Sequence, residues 1–523
     1  MPGTERVRAS ERRLVGAIAA LAVLAGVAYL VLAWRVVGRA GLPLDDSWIH
    51  LEFARRLAEG SGLAFGQGPR VAGTTAPLWT ALLAALALLP GPAQLWSQLL
   101  GLGLQALAVI VFHRFCRELG LGSGLAVFAT FQFGVCGYLI WGSVSGLEIP
   151  LFVLLTLMGM RLHLRDRHTR RGIAVSLPVI ALSVLARPEG LLLLVLALAD
   201  RALASRGNWR DWWRGAWPGA LVAVVCLLPV ALFNLAVSGS LAPTTWQAKS
   251  GAVNGYWPSL RYLHTALGVF FRSQPWLTLL AGAGGLLLLR RIRTPADRGL
   301  LPILWLLGLP VAYSCLHAPT GALVGNFGRY LYPLLPFVIL LGCLGLELIV
   351  ERLPRRGPAW IRMAMVGVAL LVAVPTVRHA VTLGGQFARN VRNVEQGDVA
   401  AARWLSSRLP AGARLAVNDV GAVQYHFPEA EIVDLAGIMS PEIHDYTAAA
   451  VREGQSWEVG AAHFLEAARP DYLVVFPSWF PGLLASGVSF APIREFVIDD
   501  NITLGGDRLV VYSTPWTRME LRQ

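Results

Sequence analysis

Long apolar runs recur through residues 1–390 of this 523-residue chain, and they limit its possible folds more than any other feature. A helix needs about 20 mostly apolar residues to cross a bilayer. The chain is 55% apolar and only 15% charged, which excludes an ordinary set of soluble domains. We therefore predict an α-helical polytopic membrane protein with eleven spans. The expected spans are residues 14–34, 95–113, 121–141, 149–163, 173–187, 190–204, 216–238, 266–289, 299–316, 331–350 and 363–381.

Charge divides the chain into two parts. Residues 1–390 hold 35 basic and 15 acidic side chains, whereas residues 391–523 hold 10 and 17. Because the basic residues lie between apolar runs, membrane topology explains the pI of about 10.1 better than a nucleic-acid partner does. We expect a transmembrane domain over 1–390 and a small α/β domain, with a mixed or parallel sheet, over 391–523. Its expected strands are 414–420, 431–435, 471–476, 495–498 and 508–513, and its expected helices are 397–409 and 460–468.

Arginine clusters predict the orientation. They alternate with loops that hold one or two basic residues, and cytoplasmic loops carry the basic excess. This alternation requires that segment 76–90, which is too short to span, does not cross the membrane. We expect a multi-pass protein of the cytoplasmic membrane, with a cytoplasmic N-terminus and an extracytoplasmic C-terminal domain. The first outer loop, 35–94, is the longest, and within it 47–59 is predicted to form an amphipathic helix on the bilayer surface.

Acidic residues on the predicted outer side are the first candidates for chemistry, because ionisable groups at a membrane are costly and usually functional. The adjacent Asp45 and Asp46 in LPLDDSWIH can bind a cation, or one carboxylate can raise the pKa of the other towards the range of a general base. Asp46 can equally cap the helix that follows. The others on this side are Glu52, Glu59, Glu148 and Glu189.

Glu148 and Glu189 both lie where an apolar run breaks. Glu148 precedes a predicted helix, whose dipole it can stabilise without any catalytic role. In ARPEG, Pro188 breaks the helix and exposes Arg187 and Glu189 at a kink. A local ion pair between these two side chains is the structural alternative to a functional role.

Basic residues are scarce in the outer loops. Lys249 lies in LAPTTWQAKSG, and Arg329 and Tyr330 lie in GNFGRYLYPLLP. A reaction that releases phosphate needs such cations, although contact with lipid headgroups would also explain them. Three histidines, His50, His264 and His317, have no metal-ligand spacing, so we expect surface or interface positions for them.

These segments together resemble the GT-C superfamily of membrane glycosyltransferases. The similarity begins at LPLDDSWIHLEFARRLAEGSGLAFGQGPRVAGTTAPLWT and continues through SGLEIP, LARPEG, APTTWQAKSG and GRYLYPLLP into AVNDVGAVQYHFPEAEIVDLAGIMSPEI. It is greatest to the bacterial branch that includes arabinofuranosyltransferase- and mannosyltransferase-like enzymes. The resemblance covers most of the chain in consistent order, and it implies a GT-C-like transmembrane domain followed by the α/β domain.

The resemblance also implies a reaction. The donor would be a polyprenyl-phosphate sugar, the acceptor a glycan, lipid or protein of the cell envelope, and a single displacement would invert the anomeric centre. Asp45 or Asp46 would act as the base. The family often has DxD or DE where this chain has DD, so which aspartate acts stays open. The other implied roles are support of the acidic cluster (Glu148, Glu189), binding of the donor phosphate (Lys249, Arg329, Tyr330, Arg187) and binding of a divalent cation (Asp45, Asp46, Glu148).

Two alternatives belong to other functional classes. A transporter or flippase for lipid-linked saccharides would show internal repeats and ionisable groups near the bilayer midplane, and the sequence shows neither. A non-catalytic assembly or sensory protein would use its outer α/β domain to bind glycan or protein. Physical reasoning favours transfer from a lipid, because nucleotide sugars stay in the cytoplasm.

Overall fold

A computed structural model describes residues 2–68, 70–167, 174–204, 209–241, 243–245, 259–292, 300–316, 326–350 and 359–518. Helices dominate the described residues before Arg414. They are α1 (Pro2–Val37), α2 (Asp45–Ala58), α3 (Pro77–Ala87), α4 (Ala93–Glu118), α5 (Ser123–Gly134), α6 (Gly137–Val144), α7 (Ile149–Asp166), α8 (Ser176–Ala186), α9 (Gly190–Ala204), α10 (Trp209–Ser238), α11 (Leu260–Ser273), α12 (Pro275–Ile292), α13 (Leu301–Leu316), a 3-10 helix (Asn326–Leu334), α14 (Leu335–Val350), α15 (Ala359–Val394) and α16 (Ala400–Arg408).

Several helices are long and apolar enough to cross a membrane. Within the described ranges there are five, and α5 with α6 would form a sixth if that pair, bent by 49°, is one span. Shorter apolar helices add to the bundle, so the structure has the character of a membrane protein, while the count of eleven spans stays a prediction. The five are Ala9–Val37, Ala93–Glu118, Trp212–Ser238, Gly328–Val350 and Met363–Arg408.

Two expected spans are broken. The expected helix 266–289 is two helices, because α11 ends at Ser273 and α12 begins at Pro275. Proline lacks the backbone N–H and fits only the first turn of a helix, so the break falls there. The expected span 121–141 is bent where α5 gives way to α6. Helix α3 has 11 residues, or about 17 Å, and is too short to cross, as its sequence predicts.

Helix α2 forms where the sequence predicts a helix, but its expected place on the bilayer surface is wrong. The side chains of Trp48, Glu52 and Phe53 are fully buried. One side of α2 packs on α3, and the other packs on a short helix, α17 (Val420–His426), that follows the first strand of the C-terminal part. Its apolar face is therefore covered by protein.

The C-terminal part contains a five-stranded mixed sheet in the order β2-β1-β3-β5-β4. Strand β1 pairs in parallel with β2 and β3, and β5 runs antiparallel to β3 and β4. The remaining elements are β1 (Arg414–Val417), β2 (Glu431–Asp434), α18 (Ile443–Arg452), α19 (Trp457–Ala468), β3 (Tyr472–Val475), α20 (Pro481–Leu484), β4 (Ala491–Val497) and β5 (Arg508–Ser513). The sequence predicts all five strands.

The sheet packs directly on the first loop. Leu415 and Val417 share a buried apolar cluster with Ile49 and Phe53 of α2 and with Phe65. Helix α15 continues into α16 without a break in helical structure, since one π-helical turn, Glu395–Val399, joins the two. The expected helix 397–409 is thus the end of a much longer one. These contacts fix the C-terminal part over α2, although its status as a separate domain stays a prediction.

Candidate active site

The turn between α6 and α7 places Glu148 beside α2. Gly146 has a φ of +80°, and a Cβ there would lie 2.8 Å from Leu42, so only glycine fits. The indole N–H of Trp79 donates to the carbonyl of Gly146 at 3.0 Å. The hydroxyl of Ser47 donates to the carbonyl of Ser145, in the same turn, at 2.8 Å. This turn is therefore held against both α2 and α3.

Glu148 belongs to a buried network around one guanidinium. Nη1 of Arg187 donates to Glu148 at 2.8 Å, and Nη2 donates to Glu189 at 2.9 Å. Nε2 of His50 lies 3.2 Å from the other oxygen of Glu148, and the Tyr313 hydroxyl donates to Glu189. The expected local ion pair at the ARPEG kink thus forms, and it extends to Glu148. Arg187 is already bonded to two carboxylates.

Arg329 brings a second guanidinium to the same place. It lies on the 3-10 helix, is 5% exposed, and its Nη2 donates to Asp46. Its Cζ is 5.2 Å from the ring centroid of Tyr330, and Cζ of Arg187 is 5.0 Å from the same ring. Tyr330 is therefore in cation–π contact with two cations. The structure brings Asp46, Arg329, Tyr330 and Arg187 together, as the candidate site requires.

Asp45 faces the C-terminal part. Its two carboxylate oxygens accept hydrogen bonds from the backbone N–H groups of Gly421 at 2.8 Å and Ala422 at 2.7 Å, at the start of α17. A Cβ on Gly421 would lie 2.4 Å from the Asp45 carbonyl oxygen, so this contact is between backbones. Burial raises the pKa of Asp45 to about 7, although these two hydrogen bonds favour the ionised carboxylate and lower the pKa. The negative charges of Asp46 and Asp434 raise it further. The two adjacent aspartates thus have different surroundings.

A small polar cavity lies where these groups converge. Its volume is about 90 Å³. Three buried side-chain atoms on its lining residues have no hydrogen-bond partner within the described part of the chain, namely His50 Nδ1, Thr245 Oγ1 and Arg329 Nη1. Buried polar groups are nearly always bonded, so such a set indicates room for a polar ligand or water. The lining includes Asp46, His50, Thr74, Thr75, Glu148, Arg187, Glu189, Thr245, Tyr313, Arg329, Tyr330 and Ile438.

A larger cavity of about 720 Å³ lies behind one wall of the small one. Neighbouring residues of the chain line the two cavities: Ala72 and Gly73, Thr244 and Thr245, and Ile438 and Met439. Thr244 ties this wall together, because its N–H donates to Ala72 O at 3.0 Å and its hydroxyl to Ile438 O at 2.8 Å. Residues of the first loop, of the C-terminal part and of segment 244–245 thus form a wall between the small cavity and the larger one.

Some site residues fall outside the expectations. His50 is 7% exposed and lines the small cavity, so its expected surface position is wrong. A sequence signal existed, because Asp46 and His50 are four residues apart and share a face of α2. His264 is exposed as expected, and His317 lies outside the described residues. Lys249 also lies outside them, in segment 246–258.

The expected divalent-cation set does not assemble. Both oxygens of Asp45 hold backbone N–H groups, and Glu148 is occupied by Arg187 and His50. No group of three or more His, Cys, Asp or Glu side chains in the described ranges could hold a metal ion. The residues expected to bind a cation therefore do not fit one in this arrangement.

Comparisons with known proteins bear on the fold. A family model described as a domain of unknown function (DUF8728) matches residues 388–512. No curated protein matches the chain by sequence. ArnT from Cupriavidus metallidurans bound to undecaprenyl phosphate matches in structure with a TM-score of 0.56 at 15% identity, over 94% of this chain and 97% of that one.

Archaeal oligosaccharyltransferases match as well. The Archaeoglobus fulgidus enzyme in the apo form gives a TM-score of 0.57 at 14% identity, over 88% of this chain and 69% of that one. AglB from the same organism, in complex with an inhibitory peptide and a dolichol-phosphate, gives 0.53 at 13% identity, over 96% and 76%. This chain shares their fold. The likeness shows a shared fold, while membership of the GT-C superfamily and of its arabinofuranosyltransferase- or mannosyltransferase-like branch stays a prediction.

Proposed function

We propose that this chain is an inverting glycosyltransferase that moves a sugar from a polyprenyl-phosphate donor to an acceptor of the cell envelope, on the outer side of the cytoplasmic membrane. Its fold neighbours support a lipid-phosphate donor, because one was solved with undecaprenyl phosphate and another with dolichol-phosphate. They do not favour the transporter alternative, since they are transferases. The sugar, hexose or pentose, is left open.

The half-satisfied guanidinium of Arg329 is the observation that carries this proposal. Its Nη2 is bonded to Asp46, whereas its Nη1 is buried without a partner in the described structure and belongs to a side chain that lines the small cavity. A guanidinium matches the geometry of a phosphate and binds it through charge-assisted hydrogen bonds. We therefore assign Arg329 to the donor phosphate, with Tyr330 packed beside it.

Asp46 is the better candidate for the base. It lines the small cavity, whereas Asp45 is fixed to the start of α17. A bound phosphate competes with Asp46 for Arg329 and loosens that carboxylate for the acceptor hydroxyl. The hydroxyl then gives its proton to Asp46 as its oxygen bonds to the anomeric carbon. The bond from that carbon to the phosphate oxygen breaks, and Arg329 stabilises the charge left on the lipid phosphate.

The remaining network holds this arrangement in place. Arg187 neutralises Glu148 and Glu189, which would otherwise be two buried carboxylates without a cation. Its Cζ also lies 5.0 Å from the centroid of the Tyr330 ring. We assign Arg187, Glu148 and Glu189 to positioning, and we keep Lys249 as a further candidate for the phosphate.

The larger cavity is our candidate for the acceptor. Its 720 Å³ is within the range of about 300–1,000 Å³ that is usual for ligand sites, whereas 90 Å³ is too small for a saccharide. Its lining combines Phe65 with Arg70, Arg414 and Glu431, which suits a hydroxyl-rich ligand. The shared wall would have to shift for transfer. Filling this cavity with Val71→Trp should raise KM for the acceptor and leave binding of the lipid phosphate unchanged.

Binding of undecaprenyl phosphate to the purified chain tests the assignment of Arg329. Loss of a hydrogen bond to a charged group costs about 1.5–3 kcal/mol, so Arg329→Gln should weaken binding roughly 10- to 150-fold. Arg389→Gln is the matched control, because Arg389 is exposed on α15 and lines neither cavity. Equal affinity of Arg329→Gln and wild type would remove the proposed donor site, provided that both proteins keep the same Tm.

A further inference from the structure

Three helices that start or end next to the first loop or Glu148 reach a second charged cavity at their other ends. Helix α4 begins beside the first loop, where Gln98 donates to Gly41 O at 2.9 Å, and α7 begins just after Glu148. Helix α1 ends at Val37, and at a rise of 1.5 Å per residue Glu11 lies about 39 Å from that end along the helix axis. This distance exceeds the roughly 30 Å of a hydrocarbon core. The second cavity therefore opens at the opposite face of the membrane.

Arginine side chains from all three helices line this cavity of about 930 Å³. Part of their charge is balanced within the protein. Glu118 accepts from Arg161 at 2.8 Å and also from Arg165, and Glu11 lies 3.3 Å from Arg117. The complete set of charged side chains on the lining is Arg12, Arg114, Arg117, Arg161, Arg165, Glu11 and Glu118, together with His113. Five guanidiniums thus face two carboxylates.

Arg12 and Arg114 supply the unbalanced charge. Both are exposed, and neither forms an ion pair within the described part of the chain. They come from adjacent helices, α1 and α4, whose apolar side chains Val15 and Ile110 line the same cavity. A ligand that fits must therefore carry negative charge at one end and apolar groups at the other.

We propose that this cavity binds the phosphate headgroup of an anionic phospholipid, at the membrane face opposite the candidate active site. Basic pockets between membrane helices have the chemistry that such headgroups require. Phosphate from solution would meet the same arginines, but it has no apolar part to contact the half-buried Ile110. The proposal is independent of glycosyl transfer, because none of these side chains lines either outer cavity.

Thermal unfolding of the purified full-length chain in detergent tests the proposal. Phosphatidylglycerol should raise Tm in a saturable way, whereas phosphatidylcholine and inorganic phosphate at equal concentration should not. Replacing Arg12 and Arg114 together by Gln should weaken the phosphatidylglycerol effect at least tenfold in the concentration required. Arg13→Gln is the matched control, since Arg13 is the exposed neighbour of Arg12 and does not line the cavity.

The outcomes separate the sources of the effect. An equal shift with phosphatidylcholine would overturn the proposal, because the effect would then be that of any lipid. An equal shift with inorganic phosphate would assign the cavity to a soluble anion and would also overturn it. If the double variant fails to fold, the single variants Arg12→Gln and Arg114→Gln replace it, and an undiminished response in both would contradict the proposed site.

Discussion

Replacing Asp46 by Asn, with Asp45→Asn as its neighbour control, should separate catalysis from stability. Asn at position 46 can still accept a hydrogen bond from Arg329, so we expect Tm to change little, especially as the Asp46 side chain is 38% exposed. It can no longer accept a proton. Loss of a general base lowers turnover by about 10²–10⁴-fold.

The neighbouring substitution should do the reverse. The two oxygens of Asp45 accept two backbone N–H groups of α17, and Asn has one acceptor oxygen for them. One backbone N–H of α17 is then buried without an acceptor, which costs about 1–3 kcal/mol of stability near pH 4, where Asp45 is still protonated in the folded state. Because Asp45 does not line the small cavity, turnover should fall at most several-fold.

Release of lipid phosphate from a polyprenyl-phosphate sugar measures turnover, and Tm measures stability on the same preparations. A donor that gives no release with any acceptor would count against glycosyl transfer itself. If Asp45→Asn abolished release at an unchanged Tm while Asp46→Asn stayed active, the assignment of the base would be reversed and the reasoning from geometry refuted. Full activity of both variants would remove the aspartates from the mechanism.

Three other predictions concern the pH dependence of stability, the ion pairs of Arg187 and the orientation of the chain in the membrane. Because the pKa of Asp45 is raised, the folded state binds a proton more readily than the unfolded state between about pH 4 and pH 7. The Tm of the wild type should therefore fall relative to that of Asp45→Asn as the pH rises through this window. Parallel plots of Tm against pH for the two proteins would contradict this expectation. Arg187→Met should lower the free energy of unfolding by about 3–5 kcal/mol, because it leaves Glu148 and Glu189 buried without their cation. A change under 1 kcal/mol in chemical unfolding would show that the ion pairs are dispensable. A reporter fused after Val391 should be labelled from outside the cell, and cytoplasmic labelling would reverse the predicted orientation.

Patterns that depend on near neighbours in the chain predict much of this structure. Runs of apolar residues mark most of the helices, and β5 (Arg508–Ser513) has the bounds that its sequence predicts. The ion pair of Arg187 and Glu189 joins residues two apart, although the structure buries both side chains, which are 6% and 12% exposed, where the kink at Pro188 predicts exposure. Such features need no knowledge of the distant chain, which is why the sequence alone indicates them.

Contacts across long separations are what sequence patterns miss. The apolar stripe of α2 correctly predicts a helix, but a stripe has the same form whether lipid or protein covers it. Here the covering element is α17, and the bond from Gly421 to Asp45 spans 376 positions. Tyr313 and its partner Glu189 are 124 positions apart, and His50 and its partner Glu148 are likewise distant in sequence. Only the fold shows that these side chains meet.

Helical geometry explains why two adjacent aspartates have different surroundings. Successive residues of an α-helix are rotated by about 100°, so the side chains of Asp45 and Asp46 leave α2 in different directions. The first is turned towards α17 and the second towards Arg329. Because Gly421 brings the backbones of α17 and α2 into contact, the docking of the C-terminal part fixes the rotation of α2. That rotation in turn decides which carboxylate faces the cavity, so the C-terminal part orients the proposed base in addition to lining the cavity through Ile438.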